Sequence, residues 1–208
     1  MKKADRNAIP RKAVYRLSLY FRCLSRLKHN GITTVSSEAL ARAAGVKPTQ
    51  FRKDLTHLGQ VGRRGLGYDV EHLSQVIADT LGTNCLQPVI LVGVGNLGSA
   101  LLSYRGFAQE GFGIVAAFDA APQARRREGP PLLPMDRLAD FVAEESVRMA
   151  VLCVPGHAAQ EVANQLVAAG ITGILNFAPI VLDVPDDVVV NNVNLAIELE
   201  NLSYFIQG

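Results

Sequence analysis

Apolar positions in the first part of the chain recur at the spacing of α-helices. In residues 11–31, valine, leucine and phenylalanine recur every three or four positions, which predicts one long helix. A second helix is predicted over EALARAA, which Ser36 or Ser37 can cap, and a third begins at Pro48. Between the third and fourth helices, residues 61–70 carry three glycines and predict a short hairpin. Glycines close the four predicted helices: Gly31, Gly45, Gly59 and Gly82.

Beyond residue 88 the pattern changes to continuous apolar runs that alternate with amphipathic stretches. The runs are rich in β-branched residues, as in parallel strands that are covered on both faces. The alternation predicts an α/β fold with a doubly wound parallel sheet. Residues 194–208 predict a helix that is apolar on more than one face and therefore docks on another surface, such as a second subunit. The predicted strands cover residues 89–93, 113–119, 149–154, 173–177 and 188–193, and the amphipathic stretches cover 97–107, 135–145 and 157–169.

Charge divides the chain at the same place as the change of pattern. Residues 1–86 hold 15 Lys and Arg against 6 Asp and Glu, whereas residues 87–208 hold 6 against 13. The net charge of +2 hides this asymmetry. A basic module predicts a polyanionic partner, and the acidic module that follows predicts a different task. The sequence 83–88 is the expected boundary.

Composition excludes several classes of protein. A mean hydropathy of +0.17 excludes a disordered tail protein, and no apolar run approaches the roughly 20 residues of a membrane-spanning helix. The N-terminal sequence carries charge without an apolar stretch behind it, so no secretory signal is expected. The three cysteines are far apart and lie in no metal-binding pattern, which favours a reducing, cytoplasmic location and no metal.

A glycine-rich turn predicts a dinucleotide site in the second module. Gly93, Gly95 and Gly98 form GxGxxG between a predicted strand and a predicted helix, whose first N–H groups face the pyrophosphate. Asp119 ends the next strand, where a carboxylate binds the ribose hydroxyls and disfavours the 2′-phosphate of NADP(H). The arginines at 125–127 would argue for NADP(H), but a polar arginine run is more typical of solvated surface.

The basic module contains a helix-turn-helix pattern, in which the second helix lies in the major groove of double-stranded DNA. A solvated basic surface is the alternative, but the charge of the module favours DNA binding. Side chains for the recognition helix and for a wing beside it are Lys47, Thr49, Gln50, Arg52, Lys53, Arg63 and Arg64.

No arrangement of residues has the spacing of a catalytic triad or dyad, so an enzyme is not expected. His157 follows Pro155 at a strand end near the expected cofactor, where it either contacts a nicotinamide or starts a helix. Cys153 is predicted to be a buried residue that packs like a small hydrophobic side chain. Three functions compete: a DNA-binding regulator that senses NADH, a regulator that senses another nucleotide such as coenzyme A, and an NAD-dependent oxidoreductase.

Across nearly its whole length the chain resembles the Rex family of redox-sensing transcriptional repressors. The resemblance rests on FRKDL…LGQVGRRGLGYDV, GVGNLGSALLSYRGF, FDAAP, CVPGHAAQEVANQLVAAGITGILNFAP and VVVNNVNLAIELENLSYFI. It implies a homodimer that binds a pseudo-palindromic operator and releases it when NADH binds, with NAD⁺ opposing release. It also implies a winged-helix DNA-binding domain over 1–86, a Rossmann NAD(H)-binding domain over 87–193 and a dimerisation helix over 194–208 that the subunits exchange.

The resemblance also assigns roles to individual residues. Tyr104 matches a tyrosine of the NADH-linked rearrangement, and Arg16 matches a basic residue that links the first helix to the partner subunit. Phe205 or an apolar neighbour approaches the partner's nicotinamide. Where the family usually has an aspartate before the last helix, this chain has Asn194, which weakens the ionic half of the expected switch. The cofactor-binding set is Gly93, Gly95, Asn96, Leu97, Gly98, Tyr104, Asp119, Pro155 and Phe205.

Overall fold

The computed structural model describes residues 9–62, 66–121 and 129–206. Two compact units make up the chain, which divides between residues 85 and 86. The predicted wing arginines Arg63 and Arg64, and the arginines at 125–127, lie outside the described residues.

The first unit is a small helical domain with a two-stranded sheet. Strand β2 (Tyr68–Asp69) pairs antiparallel with β1 (Thr34–Val35), so that Thr34 faces Asp69 and Val35 faces Tyr68. The turn of the hairpin predicted within residues 61–70 lies outside the described residues, and the described strand of this segment pairs with a segment more than 30 residues earlier in the chain. The elements are α1 Arg11–His29, β1 Thr34–Val35, α2 Ser37–Ala43, α3 Pro48–Leu55, β2 Tyr68–Asp69 and α4 Val70–Leu81, with a short 3₁₀ turn at Thr56–Leu58.

Local signals in the sequence set the helix ends of this unit. Ser36 caps α2 by accepting a hydrogen bond from the backbone N–H of Ala39 at 3.1 Å. Pro48 opens α3, and Gly82 ends α4 in the left-handed conformation with φ +75°. The apolar stripe of α1 is buried against α4 and α3, which makes the first unit a domain with a core of its own. The largest fully buried side chains of that core are Leu17, Tyr20, Leu24, Leu40, Phe51, Leu73 and Ile77.

The second unit is a doubly wound α/β domain, as predicted. Its strands are β3 Gln87–Val92, β4 Phe112–Asp119, β5 Leu132–Pro134, β6 Met149–Leu152, β7 Gly173–Asn176 and β8 Val189–Asn192. They run parallel in the order β5-β4-β3-β6-β7-β8. Counted from β3 as the first strand this is 3-2-1-4-5-6, the Rossmann order. The three-residue β5 has no counterpart among the predicted strands.

Helices cover the sheet between the strands. The single predicted stretch 97–107 is two helices, because Tyr104 adopts an extended conformation between them. The last helix, α9 (Leu195–Ile206), buries none of its residues, and Leu199 and Phe205 are 66% and 78% exposed. The helices are α5 Asn96–Ser103, α6 Gly106–Gln109, α7 Leu138–Glu144, α8 Gly156–Ala168 and α9 Leu195–Ile206.

Candidate functional site

The glycine-rich turn lies at the carboxyl end of the central strand β3, where the strand order reverses. Gly93 has φ +96°, and a Cβ there would lie 2.7 Å from the backbone carbonyl of Cys153. A Cβ at Gly98 would lie 1.9 Å from the carbonyl oxygen of Gly93. Both positions therefore require glycine, because the turn, the helix and the end of β6 are in backbone contact. Open α/β sheets bind their ligands at this kind of switch point.

Gly95 has a different role from the other two glycines. It is the residue that precedes α5, and a Cβ at this position would meet no atom within 4 Å. Asn96 and Leu97, the first residues of the helix, are exposed. Their backbone N–H groups belong to the unpaired first turn of a helix, where the helix dipole favours an anion. The turn thus leaves open space and donors for a pyrophosphate.

Asp119 stabilises the same turn by accepting a hydrogen bond from its backbone. Its Oδ2 accepts a hydrogen bond from the backbone N–H of Val94 at 2.7 Å, and its Oδ1 accepts one from Ala121 N–H at 3.0 Å. A carboxylate has about four acceptor positions, so two remain for ribose hydroxyls. The carboxylate thus fixes the glycine turn and lies where a dinucleotide's ribose is expected.

The ends of β6 and β7 form the other half of this sheet edge. Pro155 is exposed and directly precedes α8, and His157 is an exposed residue of its first turn, as the helix-start interpretation expects. Burial raises the pKa of the Cys153 thiol to about 11, so this thiol is protonated at neutral pH and is a poor nucleophile.

Sequence reasoning missed Asn176, which organises the loop after β7. This residue is fully buried, and its Nδ2 donates to Ile180 O at 2.9 Å and to Asn192 Oδ1 at 2.8 Å. Its Oδ1 accepts from Ala178 N–H at 2.9 Å. A lone asparagine at the end of an apolar strand was the available signal, because a buried amide must satisfy its hydrogen bonds.

The recognition-helix residues lie on or beside an exposed face of α3. Lys47, Thr49, Arg52 and Lys53 are exposed, and Gln50 is half-buried. Arg52 Nη1 donates to Ser37 Oγ at 3.1 Å and to Glu38 Oε1 at 3.2 Å, which holds the guanidinium near the start of α2. A solvent-exposed ion pair of this kind is weak, so DNA phosphates can compete for the guanidinium.

Asp54 is the second residue that sequence reasoning missed. Its side chain is buried at 1% exposure and accepts two hydrogen bonds from Arg16, at 2.6 Å from Nε and 2.7 Å from Nη2. Tyr20 Oη and Gln50 Nε2 each donate to it at 2.8 Å. Burial alone would raise the pKa of Asp54, but the hydrogen bonds from Arg16, Tyr20 and Gln50 outweigh it and lower the pKa below its ordinary value. Asp54 is therefore an ionised group that ties α1 to α3.

The three residues that the family resemblance links in a switch each have partners within this chain. Arg16 is paired with Asp54, and Tyr104 is exposed with its ring edge-on to Phe107, centroids 5.1 Å apart. Asn194 Oδ1 accepts from Ala196 N–H at 3.0 Å and caps α9. Phe205 lies on the exposed last helix, next to Tyr204.

Within the described ranges, no helix combines the length and the apolar character that crossing a membrane requires. The two units together define a class of protein, in which a helix-turn-helix domain is joined to a Rossmann domain whose glycine turn fits a dinucleotide. Family models agree with this division. Residues 8–56 match a putative DNA-binding protein N-terminus, and residues 84–180 match a CoA binding domain.

Relatives and solved structures identify the family. The redox-sensing transcriptional repressor Rex of Streptomyces coelicolor is 47% identical over 96% of this chain and 78% of its own length. Rex of Carboxydothermus hydrogenoformans is 45% identical over 96% and 97%. The crystal structure of RSP with β-NAD⁺ and operator DNA has a TM-score of 0.88 and 36% identity, covering 95% of this chain and 92% of that chain. RSP with β-NADH has a TM-score of 0.83 and 34% identity, over 96% and 94%. The chain belongs to the Rex family of redox-sensing transcriptional repressors and is not an enzyme.

Proposed function

We propose that this chain is a homodimeric repressor that binds a pseudo-palindromic operator and releases it when NADH binds, with NAD⁺ opposing release. In this proposal residues 1–86 bind DNA, residues 87–193 bind the nucleotide and residues 194–208 join the subunits. The observation that carries the proposal is the presence, in one chain, of an exposed basic recognition helix and a glycine turn braced by Asp119. RSP, a similar Rex-family repressor, has been crystallised with operator DNA and β-NAD⁺ and with β-NADH.

NAD(H) fits the sheet edge of the second unit. Gly93, Gly95 and Gly98, with the N–H groups of Asn96 and Leu97, surround the pyrophosphate, and Asp119 accepts from the adenosine ribose. Pro155 lines the nicotinamide half. The bound dinucleotide reports the redox state, and the protein supplies only binding and shape. Asp119 should favour NADH over NADPH, because its carboxylate repels a 2′-phosphate.

Operator recognition belongs to α3 and to the wing. Lys47, Thr49, Gln50, Arg52 and Lys53 face the major groove, and Arg63 and Arg64 serve the wing beside it. Two such helices related by a two-fold axis meet half-sites about one or two helical turns apart, which requires a dimer. Operator DNA is in the cytoplasm, and we place the protein's action there.

The exposed apolar side chains of α9 support the dimer. Leu195, Leu199, Leu202, Phe205 and Ile206 are each at least 60% exposed within one chain. A patch of this kind marks an interaction surface, and exchange of α9 between subunits would bury it. In that arrangement Phe205 approaches the partner's nicotinamide.

The switch works through linked equilibria. NADH releases DNA only if it binds a DNA-incompetent dimer more tightly than the competent one. Arg16, Tyr104 and Asn194 are the residues through which the two forms differ. Each tenfold change in operator affinity corresponds to about 1.4 kcal/mol.

Coenzyme A is the second candidate ligand, because residues 84–180 match a CoA binding domain. Fluorescence titrations with NADH, NAD⁺, NADPH and coenzyme A separate the two candidates. We expect NADH to bind most tightly and Asp119→Ala to reduce the preference over NADPH. If coenzyme A binds most tightly, the protein is a coenzyme A sensor and the proposal of a redox sensor is wrong.

Gel shifts test the DNA-binding half independently. Arg52→Ala with Lys53→Ala should weaken operator binding by about 1–3 kcal/mol for each side chain that reads a base. Lys28→Ala is the matched control, because Lys28 is a basic residue of the same unit whose Nζ is paired with Glu71. Normal binding by the double variant would exclude α3 as the recognition helix.

A further inference from the structure

The hydrogen bonds of Asp54 fill its acceptor capacity. Oδ1 accepts from Arg16 Nη2 and Gln50 Nε2, and Oδ2 accepts from Arg16 Nε and Tyr20 Oη. An ionised carboxylate offers about four lone-pair positions, and four donors use them. This complete set of partners explains how a carboxylate that is 1% exposed stays charged inside an apolar core.

The charge of Asp54 fixes the orientation of the Gln50 side-chain amide. A carboxylate can only accept hydrogen bonds, so the amide nitrogen must face Asp54, and the opposite orientation would bring two acceptor oxygens together. One amide N–H is used at 2.8 Å. Within the described residues no hydrogen bond is made to Gln50 Oε1, which is therefore the amide's free acceptor.

Gln50 is the third residue of α3 and lies between exposed Thr49 and exposed Arg52 along the helix, next to fully buried Phe51. Early side chains of a recognition helix are the ones that reach base edges. A freely rotating glutamine can present its NH₂ group to guanine or thymine, or its oxygen to an amino group of adenine or cytosine. The contact with Asp54 occupies one of the two amide N–H groups and leaves the oxygen without a partner, which favours the second choice.

We infer that Asp54 is a positioning residue that holds Gln50 with its carbonyl oxygen toward DNA, so that Gln50 recognises an amino group of adenine or cytosine in the major groove. This inference rests on the proposed function, because it requires α3 to enter the groove of an operator. Gln50 is then a residue that determines which base is recognised, and Asp54 affects this choice only by orienting Gln50.

The test uses the full-length chain and duplexes that it enriches from a library with about 20 randomised base pairs, enough for two half-sites one helical turn apart. Each adenine of the enriched half-site is replaced in turn by purine, and each cytosine by pyrimidin-2-one, which removes only the amino group. Binding is measured by fluorescence anisotropy at fixed salt. At one position the replacement should weaken wild-type binding about three- to tenfold, as expected for one hydrogen bond.

Two leucine variants show whether Gln50 makes that contact. In Gln50→Leu the loss of affinity that follows removal of the amino group at that position (the penalty) should disappear, while the penalties at other positions stay. Gln75→Leu is the matched control, because Gln75 Nε2 donates to Asp79 Oδ1 at 2.9 Å across the same four-residue spacing, but on α4. It should leave every penalty unchanged. A half-site with no Gln50-dependent position overturns the inference.

Two further variants test the role of Asp54. Asp54→Asn allows the Gln50 amide to turn over, so the penalty should disappear and binding to a half-site with guanine or thymine there should improve. Tyr20→Phe removes another donor to Asp54 and should keep the penalty. A folded Asp54→Asn protein that keeps the full penalty contradicts the positioning role.

A measurement on the unmodified protein covers the case in which Asp54→Asn does not fold. One Nε2 proton of Gln50, assigned by its loss in Gln50→Leu, should exchange slowly with solvent at neutral pH, and unprotected exchange of both protons overturns the inference. If the library yields no enriched duplex, the proposed function itself fails. An enriched duplex without a Gln50-dependent position overturns this inference alone.

Discussion

The two units build their functional surfaces by different means. In the first unit, side chains from α1 and α3 meet on the buried carboxylate of Asp54, and charge holds the recognition helix in place. In the second, backbone approach shapes the glycine turn, and Gly93 and Gly98 leave no space for a Cβ. The DNA-facing unit should therefore respond to pH and to the loss of a charge, whereas the nucleotide turn should respond to added bulk.

Loss of the Asp54 carboxylate should have the largest effect. Asp54→Ala leaves Arg16 and Tyr20 without their buried partner, which should cost about 3–5 kcal/mol in the free energy of unfolding. Asp79→Ala, at an exposed aspartate of the same unit, is the control and should cost about 1 kcal/mol or less. Chemical denaturation followed by circular dichroism measures both. A loss as small as that of the control would exclude Asp54 as the tie between the helices.

The same carboxylate gives the first unit a predictable pH dependence. Because the pKa of Asp54 is lowered in the folded state, its stabilisation is complete above the unfolded value of about 3.9 and is lost as pH falls through the folded value. Asp54→Asn should remove this part of the acid dependence while the rest of the profile stays. Parallel acid profiles for the two proteins would contradict the assignment.

Added bulk in the glycine turn should have the next largest effect. Gly98→Ala brings a Cβ within 1.9 Å of a backbone oxygen, which should cost about 1–3 kcal/mol in stability and abolish NADH binding. Gly95→Ala is matched to it, because its Cβ meets no atom within 4 Å. That variant should keep its thermal stability and lose only nucleotide affinity, since the methyl group lies on the pyrophosphate side. Equal behaviour of the two variants would show that the turn is not shaped by close packing.

How much of the fold and of the site can be predicted from the sequence depends on how far apart in the chain the interacting residues lie. Ser36, Pro48 and Gly82 act on residues next to them, so their helix ends were predictable. Asp54 depends on Arg16 and Tyr20, which are 38 and 34 residues away, and no periodic pattern marks such a contact. The pairing of β2 with β1 was missed for the same reason. The glycine motif could be predicted from the sequence because the residues that form it lie within six consecutive positions.

Substitution of Asn194 should have a smaller effect, which is confined to the change in operator affinity that NADH causes. Its Oδ1 caps α9, and an aspartate caps a helix equally well, so Asn194→Asp should preserve the helix. The family resemblance implies that a carboxylate at this position binds Tyr104 or Arg16 in one of the two forms, and a charged hydrogen bond exceeds a neutral one by about 1 kcal/mol. The ratio of operator affinities without and with saturating NADH should then rise about fivefold. An unchanged or smaller ratio would exclude position 194 from the switch.

We propose that the operator surface of the first unit and the nucleotide turn of the second are coupled, so that a ligand at one changes the affinity of the other. The most direct measurement titrates operator against the protein with and without saturating NADH, and NADH against the protein with and without saturating operator. Linkage requires the two factors to be equal, and we expect each ligand to weaken binding of the other by the same factor, with NAD⁺ reversing the effect. If operator affinity is the same with and without NADH, the two sites are not coupled and the protein is not an NADH-responsive repressor.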